Sequence, residues 1–168
     1  HGEKLQLIDD ISNATNQQTP VINADRFANE SFHKDIQKKI FDLYGLLYER
    51  KRGEFSDGKI YGYVDDSSII ERNQFFRIFY AANGNINLGS QKKLFQKNIF
   101  PHFDLEDNIS FDRFYIGFHV FRKIIKNRSS SIRFGKDMYA KIYVYNQLFF
   151  TKNLAVDDAT IKSNFKIL

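Results

Sequence analysis

Apolar residues recur at steps of three and four along most of the chain, and that spacing predicts helices. Leu5, Ile8 and Ile11 give one apolar side to a helix over Glu3 to Asn13, after which polar residues run on to Pro20. Phe32, Ile36, Ile40, Leu43 and Leu47 form the next stripe, opened by Ser31 as a cap and interrupted by Gly45. Tyr48 to Phe55 and Ile60 to Val64 flank the turn residues Ser56-Asp57-Gly58, a pattern that predicts a small hairpin. A helix is expected from Asp65 and Asp66 to Ala82, with Phe75, Phe76, Phe79 and Tyr80 buried. A turn over Asn83 to Gly89 and a short helix from Ser90 to Asn98 follow. Phe114, Phe118, Phe121 and Ile125 mark a long helix over Ser110 to Asn127, and Phe134, Met138, Ile142, Tyr145 and Phe149 another over Ile132 to Phe149. These two are expected to pack as an antiparallel pair. A last short helix within Val156 to Leu168 begins near Asp157 and Asp158. The chain reads as mainly α, a multi-helix domain with at most a small β-hairpin.

Composition tightens that picture. At 168 residues one domain is expected, and 18 Phe with 9 Tyr supply apolar surface enough to offset the entropy lost on folding. The absence of Cys excludes disulfides, thiolate nucleophiles and Cys-based zinc sites, and fits a cytoplasmic address. No apolar run approaches the ~18 residues of a membrane span, so no membrane partner is expected. The start, His1-Gly2-Glu3-Lys4, has neither an initiator Met nor a signal peptide, and reads as a cut end within a longer protein.

Charge is unevenly spread. Residues 1 to 30 carry two basic and five acidic side chains, whereas 121 to 168 carry ten basic and three acidic. A zone of Arg122, Lys123, Lys126, Arg128, Arg133, Lys136 and Lys141 is the solvated side of the helix pair or a cationic face across it. The densest element is Tyr48-Glu49-Arg50-Lys51-Arg52-Gly53. Arg50, Lys51 and Arg52 can meet phosphates, Tyr48 can stack on a base, and Gly53 allows close backbone approach. The alternative is local: Arg50 or Arg52 pairs with Glu49, Glu54 or the early acidic segment and fixes the hairpin to the helices.

Catalytic patterns are sparse. His33 and His119 sit alone on helices, outside any H-x-x-x-H spacing, so no metal or cofactor is expected. The carboxylate pairs Asp9-Asp10, Asp65-Asp66, Glu106-Asp107 and Asp157-Asp158 lie at helix or loop boundaries, where capping accounts for them. Glu49-Arg50-Lys51 supplies E-x-K, half of a metal-dependent nuclease pattern, without the acidic strand end that should precede it. This chain is therefore expected not to be an enzyme.

Three elements occur in order: Ile11-Ser12-Asn13-Ala14-Thr15-Asn16-Gln17-Gln18-Thr19-Pro20-Val21, then Asp25-Arg26-Phe27-Ala28, then Tyr48-Glu49-Arg50-Lys51-Arg52-Gly53-Glu54. Together with Ile69 to Ala82 and Gly84 they resemble the AIPR family of bacterial abortive-infection phage-resistance proteins. The resemblance runs over residues 5 to 100 and concerns a late, C-terminal portion of a typical member. It implies antiphage defence involving nucleic acid, with any nuclease centre outside this chain. The amides of Asn16 and Gln18 can read a base edge or close their own loop. The expected partners are DNA or RNA, engaged by Asn16, Gln18, Tyr48, Arg50, Lys51 and Arg52. The alternative is docking onto the N-terminal part of the same protein or onto a second copy.

Overall fold

A computed structural model describes residues 4–5, 30–91, 103–126 and 135–167. The expected helix over Glu3 to Asn13 and the expected helix from Ser90 to Asn98 fall mostly outside them, as do Asn16 and Gln18. The chain forms two compact units, His1–Arg72 and Asn73–Leu168.

In the first unit, α1 (Glu30–Tyr44) leads into β1 (Leu47–Glu49). Phe32, Ile36 and Ile40 of the predicted stripe lie on this helix, but it starts at Glu30 so that Ser31 is inside it and not its cap, Leu43 is 46% exposed, and Leu47 falls on β1 because Gly45 ends the helix at φ 69°, its N–H returning to the Phe41 carbonyl at 2.9 Å. A one-and-a-half-turn helix, α2 (Ser56–Ile60), follows, and then a 3-10 turn over Asp66–Ser68 whose first amides are met by Asp65. The second strand is β2 (Ile69–Glu71), which pairs with β1 in parallel: Leu47 lies opposite Ile69, Tyr48 opposite Ile70 and Glu49 opposite Glu71. This corrects the expected hairpin. Ser56-Asp57-Gly58 starts a helix instead of a turn, and the β-branched pair Ile69-Ile70, expected to be helical, extends to join β1. Phe41, Leu47, Phe55 and Val64 pack together as a core, with Leu5 and Ile69 against it.

The helix α3 (Arg72–Ala82), all but its first residue in the second unit, buries Phe75, Phe76, Phe79 and Tyr80 as the spacing predicted. Phe75 is a hub: its ring lies edge-on to Phe114 with centroids 4.5 Å apart and to Phe76 at 5.0 Å. The chain turns through Asn83 and Gly84 into the short α4 (Ile86–Gly89). The two longest helices described in this unit are α5 (Asn108–Lys126) and α6 (Lys136–Thr151). They are antiparallel, because Arg113 near the start of α5 donates to Gln147 and covers the Phe150 ring near the end of α6. Midway, a Cβ on Gly117 would come within 2.9 Å of both Ile142 and Ile78, so the missing side chain is what lets the helices close. The last helix, α7 (Asp158–Ser163), starts where the acidic pair predicted: Asp157 Oδ1 accepts from the Thr160 N–H at 2.7 Å. Helices dominate the described residues, and the one sheet found among them has two short strands. No helix of the described residues is long and apolar enough to cross a membrane.

Candidate functional site

The basic-aromatic element lies in the first unit, and its residues alternate between interior and surface. Tyr48, on β1, is fully buried. Its hydroxyl is 2.7 Å from His33 Nδ1, its carbonyl accepts from Gln37 Nε2 at 2.9 Å, and its ring stacks on the His33 ring at an interplanar angle of 14°. Arg50 is 5% exposed, and its Nε donates to Glu54 Oε2 at 2.8 Å while its backbone N–H reaches Oε1. Glu54, fully buried, takes a further bond from Gln37 Nε2 at 2.8 Å. One carboxylate thus accepts from a guanidinium, a backbone amide and a carboxamide, which is the satisfaction a buried charge needs.

Two of the six expected contact residues are therefore spent inside the fold. Tyr48 has no ring face open to a base, and Arg50 turns its charge to Glu54, which is the local alternative left open by the sequence. Lys51 is half-buried and Arg52 exposed, on a turn in which the Glu54 N–H bonds the Lys51 carbonyl and the Ser56 N–H bonds that of Gly53, both at 3.1 Å. Asn16 and Gln18 lie outside the described residues.

The network's electrostatics follow from burial. Desolvation, helped by the positive charges of Arg72 and Arg50, holds His33 down at about 4, so its ring is neutral. Burial pushes the Tyr48 phenol well above its usual value, with Glu54 adding to the push and Arg72 and Arg50 opposing it. A neutral imidazole, an un-ionised phenol and a mutually neutralised ion pair are closed to solvent, so they position the turn that follows. The sequence offered Glu54 as a local partner for Arg50 or Arg52 and read His33 as a lone helical histidine, but it did not single out Gln37 or join the three into one network. A signal was present: His33 and Gln37 stand four apart on the same helix stripe as Ile36 and Ile40, and a polar residue on an apolar stripe needs a buried partner.

Other places for chemistry are limited. Glu49 and Glu71 lie side by side across the strand pair, but no group of three or more His, Cys, Asp or Glu among the described residues is arranged to hold a metal. In the second unit a cleft of about 290 Å³ is lined by Phe79, Tyr80, Asn83, Asn85, Asp107 and Ser110. Asp107 accepts from both the N–H and the hydroxyl of Ser110, and Asn83 donates to the Phe79 and Ser110 carbonyls, so the polar lining serves the start of α5 and the end of α3. His119 on α5 lies 3.4 Å from Asp158, and burial holds it down at about 4 against the pull of that carboxylate.

No curated protein and no solved structure matches the chain. A sequence model of the family described as AIPR protein matches residues 2–167, well beyond the 5–100 over which its motifs are visible by eye. The chain therefore belongs to the AIPR family, and that membership implies a part in abortive infection, a form of antiphage defence.

Proposed function

We propose that this chain is a non-catalytic module of the defence protein that engages nucleic acid through phosphate contacts. The observation that carries the reading is the clamped turn after β1: the buried Arg50–Glu54 pair fixes the backbone from which Lys51 and Arg52 project. Cations held on a rigid turn lose less conformational entropy on meeting a phosphate than cations on a loose loop. Asn16 and Gln18 add amide donors from the preceding segment. The non-catalytic part is supported by the closure of the His33, Tyr48 and Glu54 side chains to solvent.

Fluorescence anisotropy with labelled single-stranded DNA and RNA at low salt tests this. Lys51→Ala with Arg52→Ala should weaken binding and lower the salt slope by about one per lost phosphate contact. No binding by the parent chain, or an unchanged slope in the double variant, sinks the reading.

One observation favours docking as a second reading. Ile60, Tyr61 and Tyr63, at the end of α2 and just after it, are 76%, 66% and 54% exposed. Their sequence neighbours are of mixed sign, with Lys59 bonded to Asp66 at 2.7 Å, which suits a protein surface better than a polyanion. Tyr61→Ser with Tyr63→Ser should then abolish self-association or binding to the rest of the protein while leaving nucleic-acid binding intact.

A further inference from the structure

Charge in the second unit is segregated along the α5–α6 pair. At the end where α5 begins lie Asp104, Glu106, Asp107 and Asp112, with Arg113 and Lys152 as cations among them. At the other end, antiparallel packing brings the last turns of α5, with Arg122, Lys123 and Lys126, beside the first turns of α6, with Lys136 and Lys141. The C-terminal elements join the same end: His119 reaches Asp158 at 3.4 Å, and Lys123 Nζ lies 5.1 Å from the centre of the Phe165 ring, which brings Lys162 and Lys166 there. The fold thus sorts these residues by charge, since the basic final third of the chain folds back onto one end.

The bland explanations account for part of this only. Cations in the last turn of a helix complement its dipole, which covers Lys123 and Lys126. The same rule disfavours Lys136, which opens α6 at the positive end of its dipole. Three carboxylates stand among the seven cations, and two of them are engaged: Asp157 caps α7, and Asp158 bonds Lys162 at 3.1 Å. Lys126, Lys136, Lys141 and Lys166 are exposed. The charged ends of Arg122 and Lys123 lie over the Phe118 and Phe165 rings, each 5.1 Å from the ring centre, which restrains these two long side chains.

We infer that the basic end of the α5–α6 pair, with the start of the C-terminal segment, is a second nucleic-acid contact surface that binds the phosphate backbone without reading bases. It rests on the nucleic-acid reading above but uses a different surface in a different unit. Exposed ammonium groups at one helix-pair end, with no exposed aromatic among the described residues there to stack on bases, suit a duplex whose phosphates are regularly spaced. DNA and RNA share that chemistry, and the two arms of the test separate them.

The test is anisotropy with the full chain and a labelled 20-bp duplex, once as DNA and once as RNA of the same sequence, across a series of KCl concentrations. Lys126→Ala, Lys136→Ala and Lys141→Ala combined should weaken binding roughly tenfold or more and lower the salt slope by about three. The far-UV spectrum and melting temperature should stay those of the parent, since all three side chains are exposed. A control with the same charge change elsewhere, Lys34→Ala, Lys38→Ala and Lys152→Ala, should lose much less. Equal losses in the two triple variants overturn the inference, because net charge alone would then explain binding. Loss on Lys51→Ala with Arg52→Ala but not on the α5–α6 variant overturns this surface while leaving the proposed function standing. No binding by the parent to either duplex or to single strands overturns both, and binding only to phosphatidylserine vesicles overturns the inference in favour of a lipid surface.

Discussion

Replacing Glu54 by Ala removes the acceptor at the centre of the first unit's polar network and takes from the buried Arg50 guanidinium the carboxylate that its Nε meets at 2.8 Å. The magnitude can be worked from the geometry. Three bonds converge on Glu54, at 2.8 Å from Arg50 Nε, 2.8 Å from Gln37 Nε2 and 3.3 Å from the Arg50 amide. Removing one member of a buried ion pair costs about 3–5 kcal/mol, chiefly because the remaining charge is desolvated and unpaired. For a chain of this size that is a fall in melting temperature of roughly 6–20 °C. Removing both partners in favour of apolar side chains, Arg50→Leu with Glu54→Leu, leaves no stranded charge, and Gln37 keeps its bond to the Tyr48 carbonyl. The double variant should therefore be more stable than Glu54→Ala, giving a strong positive coupling in a double-mutant cycle. Urea unfolding followed by circular dichroism measures all of these. A cost for Glu54→Ala below about 1 kcal/mol, or a double variant as unstable as the sum of the singles, would refute the account of Arg50 as a buried, paired charge.

The histidines set a pH dependence. His33 and His119 are both held down at about 4 in the folded chain, against an ordinary 6.5, so between those values the unfolded chain binds more protons. Stability is then full above about pH 6.5 and falls on acidification, by up to about 1.4 kcal/mol per pH unit for each histidine. His33→Gln with His119→Gln should flatten the urea midpoint between pH 6.5 and 4.5, and an unchanged slope would contradict the burial argument. Packing supplies the other prediction: Gly117→Val must push Ile142 and Ile78 aside and should cost about 1–3 kcal/mol, whereas the exposed Val144→Ala on the same helix pair should change the urea midpoint little.

How much of this was legible beforehand depends on whether an element is set locally. The stripe of α1, its end at Gly45, the buried face of α3, the antiparallel pair and the cap at Asp157 all follow from spacing within a few residues, and the structure has them. The strand pair does not. Leu47 and Ile69 meet across 22 positions, and no turn chemistry announces a parallel partner at that separation. The candidate site divides the same way. A run of cations following a tyrosine was visible, but whether Arg50 faces solvent depends on Glu54 and on Gln37 from a different element, so its burial is a tertiary outcome. Arg52 is exposed and Lys51 half-buried, while the cationic end of the second unit forms only once α5, α6 and α7 are folded together.

The parallel register of β1 and β2 limits how this sequence can drift. A slip of one residue would turn Tyr48 away from His33 and bring Glu49 inward, so a change in length between the strands must be taken up inside the crossover without moving the register. Nearly every part of that crossover is fixed: Arg50 and Glu54 by their pairing, Phe55 and Val64 by the core, Asp65 by its cap. The stretch Tyr61 to Tyr63 is the exception, being exposed throughout and making a turn through Gly62. Insertions and deletions that arise between the strands in descendants of this chain should therefore survive at that tip and be purged elsewhere, which makes it the place where related proteins acquire different loop lengths.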